Sequence, residues 1–173
     1  MLKNKNFWII IFAIFIYIGI QFYNKNKNNP ELLGDKYFQH KEIEKAIEFW
    51  EKALKERNNK EIYEKIVVSY IIKNDLEEAN KWANIGLTYF PNYVNLIFNL
   101  ALVNFYQGKY SESIQLLDSV LEKDSYFPNA HYLKGLIFET IGEKQKAKQE
   151  YIKEVNVNPI CQKAWEKIKN EKN

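Results

Sequence analysis

From residue 31 onward, apolar residues recur three and four positions apart with Lys and Glu between them, and the strict alternation of a half-buried strand is absent. That pattern predicts helices throughout. Short punctuation separates them, and it returns on one register: Asn74, Gly108 and Gly142 are 34 residues apart, as are Pro91, Ser125 and Pro159, and Ala79, Ser113 and Ala147. A fixed period of this length predicts stacked two-helix units, each able to bury its apolar faces only against a neighbour. Gly108 and Gly142 fall between the two helices of a unit, where a left-handed residue ends the first, and Asn74 is the next best residue for that conformation. Asp75 with Glu78 then reads as a capping box opening the next helix.

The large, small and aromatic positions can be followed unit by unit. The first offers Leu33, Gly34 and Tyr37, then Ala46, Trp50, Ala53 and Leu54. The second offers Tyr63, Ile66, Val67 and Tyr70, then Ala79, Ala83, Gly86 and Leu87. The third has Ile97, Leu100 and Ala101, then Ser113, Leu117, Val120 and Leu121, and the fourth has Gly135 and Phe138, then Ala147, Tyr151 and Val155. Small residues are needed where two helices cross closely, and a large neighbour fills the space beside the crossing. This pattern resembles the tetratricopeptide repeat. The resemblance implies an all-α, right-handed solenoid of helical hairpins in about four units, 27–60, 60–93, 94–127 and 128–161, whose helices fill 31–161. Residues 162–173, with Trp165 at the first large position of a fifth unit, then read as a solvating cap helix. Four departures stand out: Asn104 where Tyr37, Tyr70 and Phe138 are aromatic, Lys134 at an apolar position, Ser125 in place of proline, and a spacing of 33 between Ala46 and Ala79 that places a one-residue deletion near Asn58 and Asn59.

The resemblance also implies where a ligand would lie, since the first helix of each unit lines the binding groove in that family. Carried over, the groove positions include Val68 and Ile71 in the second unit, Phe98, Leu102, Phe105 and Tyr106 in the third, and Tyr132 and Leu136 in the fourth, with Glu61, Glu64, Ile72, Asn95, Asn129, Glu139 and Thr140 beside them. The middle of that groove is apolar and aromatic, which suits a helix or extended peptide of a protein partner. The alternative is that these side chains pack against adjacent helices. The Lys and Asn clamp with which some family members hold acidic carboxyl termini is not supported, because its positions hold Asp35, Lys65 and Asn99.

The first residues stand outside the period. Phe7 to Ile20 carry no charged or strongly polar side chain, and the run to Tyr23 would reach about 25 Å as a helix, near the lower limit for a bilayer core. A basic leader precedes it, and no small-residue pair stands at its exit, so residues 1–23 read as an uncleaved transmembrane signal-anchor in preference to a cleaved signal. Such an anchor would hold the leader in the cytoplasm and the body outside, as in a bacterial inner-membrane protein. Residues 24–30, polar and closed by Pro30, read as a tether.

Charge narrows the function. The net charge of +3 includes Lys3 and Lys5 of the leader, which leaves 23 basic against 22 acidic residues elsewhere, with Arg57 the sole arginine. Nucleic-acid binding needs a concentrated basic face, so it is not expected. Cys161 is the single cysteine and reads as a small packing residue, and His40 and His131 lack a second metal ligand at helical spacing, so no metal is expected. No nucleophile stands beside a base and no Gly-rich loop opens a helix, so neither an enzyme nor a cofactor site is expected. The sequence therefore reads as a membrane-tethered interaction adaptor for envelope assembly, export or chaperoning. The alternative is a structural component that self-assembles into a larger membrane-attached complex, as a homo-oligomer.

Overall fold

The structure is a computed structural model, and it describes residues 11–12, 14–19 and 29–170. Residues 11–12 and 14–19 are helical; the rest of the expected anchor at 7–23, and residues 24–28 of the expected tether, lie outside the described residues. Among the described residues no helix is long and apolar enough to cross a membrane. Asn29 and Pro30, expected to close the tether, instead open a helix: Pro30 sits in its first turn, and the Asn29 side chain accepts from the Glu31 N–H at 2.9 Å.

Nine helices follow among the described residues, and no strand. They are α1 (Pro30–Gln39), α2 (Ile43–Glu56), α3 (Lys60–Ile72), α4 (Leu76–Tyr89), α5 (Val94–Tyr106), α6 (Tyr110–Lys123), α7 (Ala130–Thr140), α8 (Lys144–Val157) and α9 (Gln162–Asn170). The backbone divides into two compact units between Asn59 and Lys60. That boundary is where the sequence period shortens to 33.

In the first unit α1 and α2 form one hairpin. Gly34 is buried beneath the Trp50 indole, where a Cβ would fall 2.4 Å from Trp50 Cδ1, and the indole N–H donates to Asp35 Oδ1 at 2.9 Å. Phe38 tilts against Trp50 at 5.5 Å, and Tyr37 stacks on Phe49 at 5.2 Å. In the second unit α3–α4, α5–α6 and α7–α8 are hairpins in succession, α5 packs on both α3 and α7, and α9 packs on α8. Ile97, Ala101, Leu117, Val120, Ala130, Leu133 and Ile137 form a continuous buried cluster through α5, α6 and α7.

The hairpin turns share one hydrogen-bond geometry. Asn74, Gly108 and Gly142 take left-handed φ angles of 59°, 75° and 84°, and Lys41 takes 63° at the equivalent place in the first hairpin. At each turn the next residue's N–H reaches back to the carbonyl five residues earlier: Glu42 to Tyr37, Asp75 to Tyr70, Lys109 to Asn104 and Glu143 to Phe138, at 2.8–3.0 Å. Asn104 thus keeps the backbone role of the aromatic residues it replaces. Half of the expected capping box is present: Asp75 accepts from the Glu78 N–H at 3.2 Å, but its own N–H is committed to Tyr70, and Glu78 pairs with Lys81.

α9 differs from the expected cap in its anchor. Ala164 is its fully buried contact, one period after Ala130, whereas Trp165 is 44% exposed with its indole N–H on the Pro159 carbonyl at 3.0 Å. Cys161 is a free thiol buried beside Val155 and Ala164.

Candidate binding face

All eight groove positions read from the sequence lie in the second unit, on α3, α5 and α7, with α5 adjacent to the other two. Each element presents them for the same reason: the buried side of the first helix packs on its hairpin partner, so residues one helical face away are left at the margin. Val68, Ile71, Phe98, Leu102, Phe105, Tyr132 and Leu136 are half-buried, and Tyr106 is 55% exposed. Phe98, Leu102, Phe105 and Leu136 lean on the buried cluster of α5–α7. Phe98 meets Phe127 at 5.1 Å, and Phe105 meets Tyr106 and Tyr110 at 5.5 and 6.1 Å. Tyr132 packs against Val155, Cys161 and Ala164 and meets Tyr151 at 5.7 Å. The open residues are one period apart: Ile72 at 59% and Tyr106 at 55%.

The polar residues beside these are largely engaged by the protein itself. Glu64 of α3 accepts from the Tyr93 hydroxyl and from Asn95 Nδ2 at 3.0 and 3.1 Å, while Lys60 lies 5.0 Å over the Tyr93 ring. Burial, with the hydrogen bond to Glu64, pushes the Tyr93 phenol up from its ordinary pKa. This clasp ties the starts of α3 and α5 together. Asp35 accepts from the Trp50 indole N–H, and Asn99 is 8% exposed.

The fourth hairpin holds a buried polar network that the sequence did not announce. Glu150 of α8, 6% exposed, faces His131 Nδ1 at 2.6 Å, Lys153 at 2.8 Å and Lys134 at 3.9 Å, and Lys134 reaches Asp118 of α6 at 2.6 Å. Burial raises the Glu150 carboxyl, but the His131 and Lys153 hydrogen bonds and the lysine charges outweigh it and hold the pKa at about 2. Glu154, fully buried, accepts from the Asn129 and Tyr132 N–H groups at 2.9 and 3.2 Å. Asn129, the residue before α7, has φ 66° and no side-chain cap, so a carboxylate from α8 caps α7 instead. The departure at Lys134 was visible in the sequence; its partners and that of His131, 16 to 19 residues away, were not.

At the other end of α7, Glu139 accepts from Lys167 of α9 at 2.6 and 2.9 Å and from the Tyr151 hydroxyl at 2.6 Å. Burial raises its carboxyl, and these bonds with the nearby Lys144 charge more than offset that, leaving it below the ordinary value. Among the described residues, no group of three or more His, Cys, Asp and Glu side chains is placed to hold a metal ion.

The tetratricopeptide repeat model matches residues 128–161, the span that holds α7 and α8. No curated protein matches the chain. Several solved structures are similar in fold. A crystal structure of MamA is 23% identical, covering 79% of this chain and 80% of that one, with a TM-score of 0.70. YrrB, described as a TPR protein with an unusual peptide-binding site, is 18% identical over 77% of this chain and 69% of its own, with a TM-score of 0.68. A tetratricopeptide repeat protein from Parabacteroides merdae ATCC 43184 is 16% identical over 76% and 53%, with a TM-score of 0.66. Identities of this size speak to the fold alone. The body is thus a series of tetratricopeptide-like helical hairpins, with the repeat itself matched at residues 128–161.

Proposed function

We propose that this chain is a membrane-tethered adaptor that holds a peptide or helix of another protein on the face of α3, α5 and α7. The observation that carries the reading is the repetition of half-buried apolar side chains one period apart, Val68, Leu102 and Leu136, beside open Ile72 and Tyr106. Side chains half seated in the core and half open lose little entropy on binding and present fixed apolar area, which is what a recognition face needs. The peptide-binding site described for YrrB, whose fold is similar, supports the same use of the fold here. The tether rests on the first residues: Phe12, Phe15 and Tyr17 are 68%, 70% and 64% exposed in a helical stretch, and an apolar helix open on its sides suits lipid better than water. Confinement at a membrane raises the local concentration of the face near membrane machinery. The proposed setting is a bacterial inner membrane with the body on the extracytoplasmic side, in assembly, export or chaperoning of envelope proteins.

The test is cross-linking of the full chain in its own membrane, in wild type and with Ile72→Lys and Tyr106→Lys together. Both positions are open, so thermal stability should change by only about 0.5 kcal/mol. A partner adduct that falls about tenfold or more in the variant supports the adaptor. Adducts only between copies of this chain would replace it with the self-assembling component.

A further inference from the structure

Residues of α7, α8 and α9 line an open cavity of about 640 Å³ on the second unit. Its charge is one-sided. Lys144 and Lys148 of α8 and Lys163 and Lys167 of α9 line it, against Glu139 and Glu166, an excess of two positive charges. One of the two carboxylates is already used, because Glu139 accepts from Lys167 and from the Tyr151 hydroxyl. Lys163 stands at an exposed position of α9. Between the lysines stands the half-buried ring of Tyr132, backed at 5.7 Å by the buried ring of Tyr151.

We propose that this cavity binds an acidic segment of a partner protein, its carboxylates meeting Lys144 and Lys163 and one apolar side chain resting on Tyr132. The volume falls in the range of ligand pockets, and a site of net positive charge beside the Tyr132 ring favours an anion that carries apolar surface. A nucleic acid fits less well. Outside the leader the chain is nearly neutral, and its single arginine lies in the first unit, so the positive field is local and offers no bidentate phosphate contact. The cavity shares Tyr132 with the face proposed above and nothing of α3 or α5, so the two can fail separately.

The test is fluorescence anisotropy of the full chain with a short labelled peptide in which glutamates flank one phenylalanine, beside the same peptide with glutamine for glutamate. The glutamate peptide should bind, and the glutamine peptide should not. Lys144→Glu with Lys163→Glu, both on exposed helix positions, should weaken binding about tenfold or more and flatten its salt dependence with helicity unchanged. Ile72→Lys with Tyr106→Lys should leave it unchanged. Equal binding of the two peptides, or full binding by the charge-reversed variant, would overturn the proposal. So would loss of the peptide in the Ile72 and Tyr106 variant, or lysine-dependent binding of anionic phospholipid vesicles without binding of the peptide.

Discussion

At the scale of single residues, the crossing of each hairpin is set by two positions that trade volume. Gly34 faces Trp50 in the first hairpin and Gly135 faces Tyr151 in the fourth, while the same register positions hold Val67 and Ala83 in the second and Ala101 and Leu117 in the third; all eight are buried. A Cβ on Gly135 would fall 2.4 Å from Tyr151 Cε1, and the hydrogen bond to Glu139 holds that ring in place. Gly135→Ala gains about 1 kcal/mol of helix propensity but overpacks a close crossing at a cost of about 1–3 kcal/mol. The clash should win, with net destabilisation of about 1 kcal/mol or more in urea unfolding. In a Tyr151→Leu background, which copies the third hairpin, Gly135→Ala should become neutral or stabilising. An equal cost in both backgrounds would show that the ring is not the obstacle. Ser69 marks the converse case: it occupies the register position of Val103 and Ile137, fully buried, with a hydroxyl that makes no hydrogen bond.

At the scale of elements, α6, α7 and α8 are joined by charge as well as by apolar contact, and this junction responds to pH. Glu150 has its pKa held at about 2 in the folded chain against an ordinary 4.5. A carboxyl with a depressed folded pKa contributes stability that is present above its unfolded pKa and is lost as pH falls through the folded one. Stability should therefore drop between about pH 4.5 and pH 2 by up to about 3 kcal/mol from this group. Glu150→Gln should remove that part of the dependence, as read by denaturant midpoints across the acid range. An identical acid profile in the variant would place the loss in other carboxyls.

The same junction shows how much of the structure was legible in advance. The turns at Asn74, Gly108 and Gly142 could be read because a left-handed residue has few solutions and the period fixed their places. Lys41 could not be read from its type, since lysine carries no left-handed signal; only the 33-residue offset from Asn74 marks it. The partners of Glu150 and Glu154 were hidden because they depend on how α7 seats on α8, which no local pattern encodes. The groove positions were legible as a helix face. Their division into side chains seated on the core, such as Phe105, and open ones, such as Tyr106, depends on neighbours like Tyr110 and came only with the structure.

At the scale of the whole molecule, the break near Asn58 and Asn59 is where the compact units divide, and the proposed binding face lies entirely in the second unit. A two-helix unit buries its faces only against neighbours, so the three hairpins and α9 of the second unit form one packed support on which Val68, Leu102 and Leu136 recur one period apart. The first residues, outside the repeat, give that support an address at a membrane under the proposal above. The central claim is that the face of α3, α5 and α7 is where a protein partner is held. Photo-cross-linking in intact cells, with a photoreactive residue placed at Tyr106 in one variant and at exposed Gln115 of α6 in another, tests it most directly. The account predicts a discrete adduct to a different protein from position 106 and none from position 115. Equal adducts from both positions, or none from position 106 in cells where the partner adduct forms elsewhere on the chain, would contradict it.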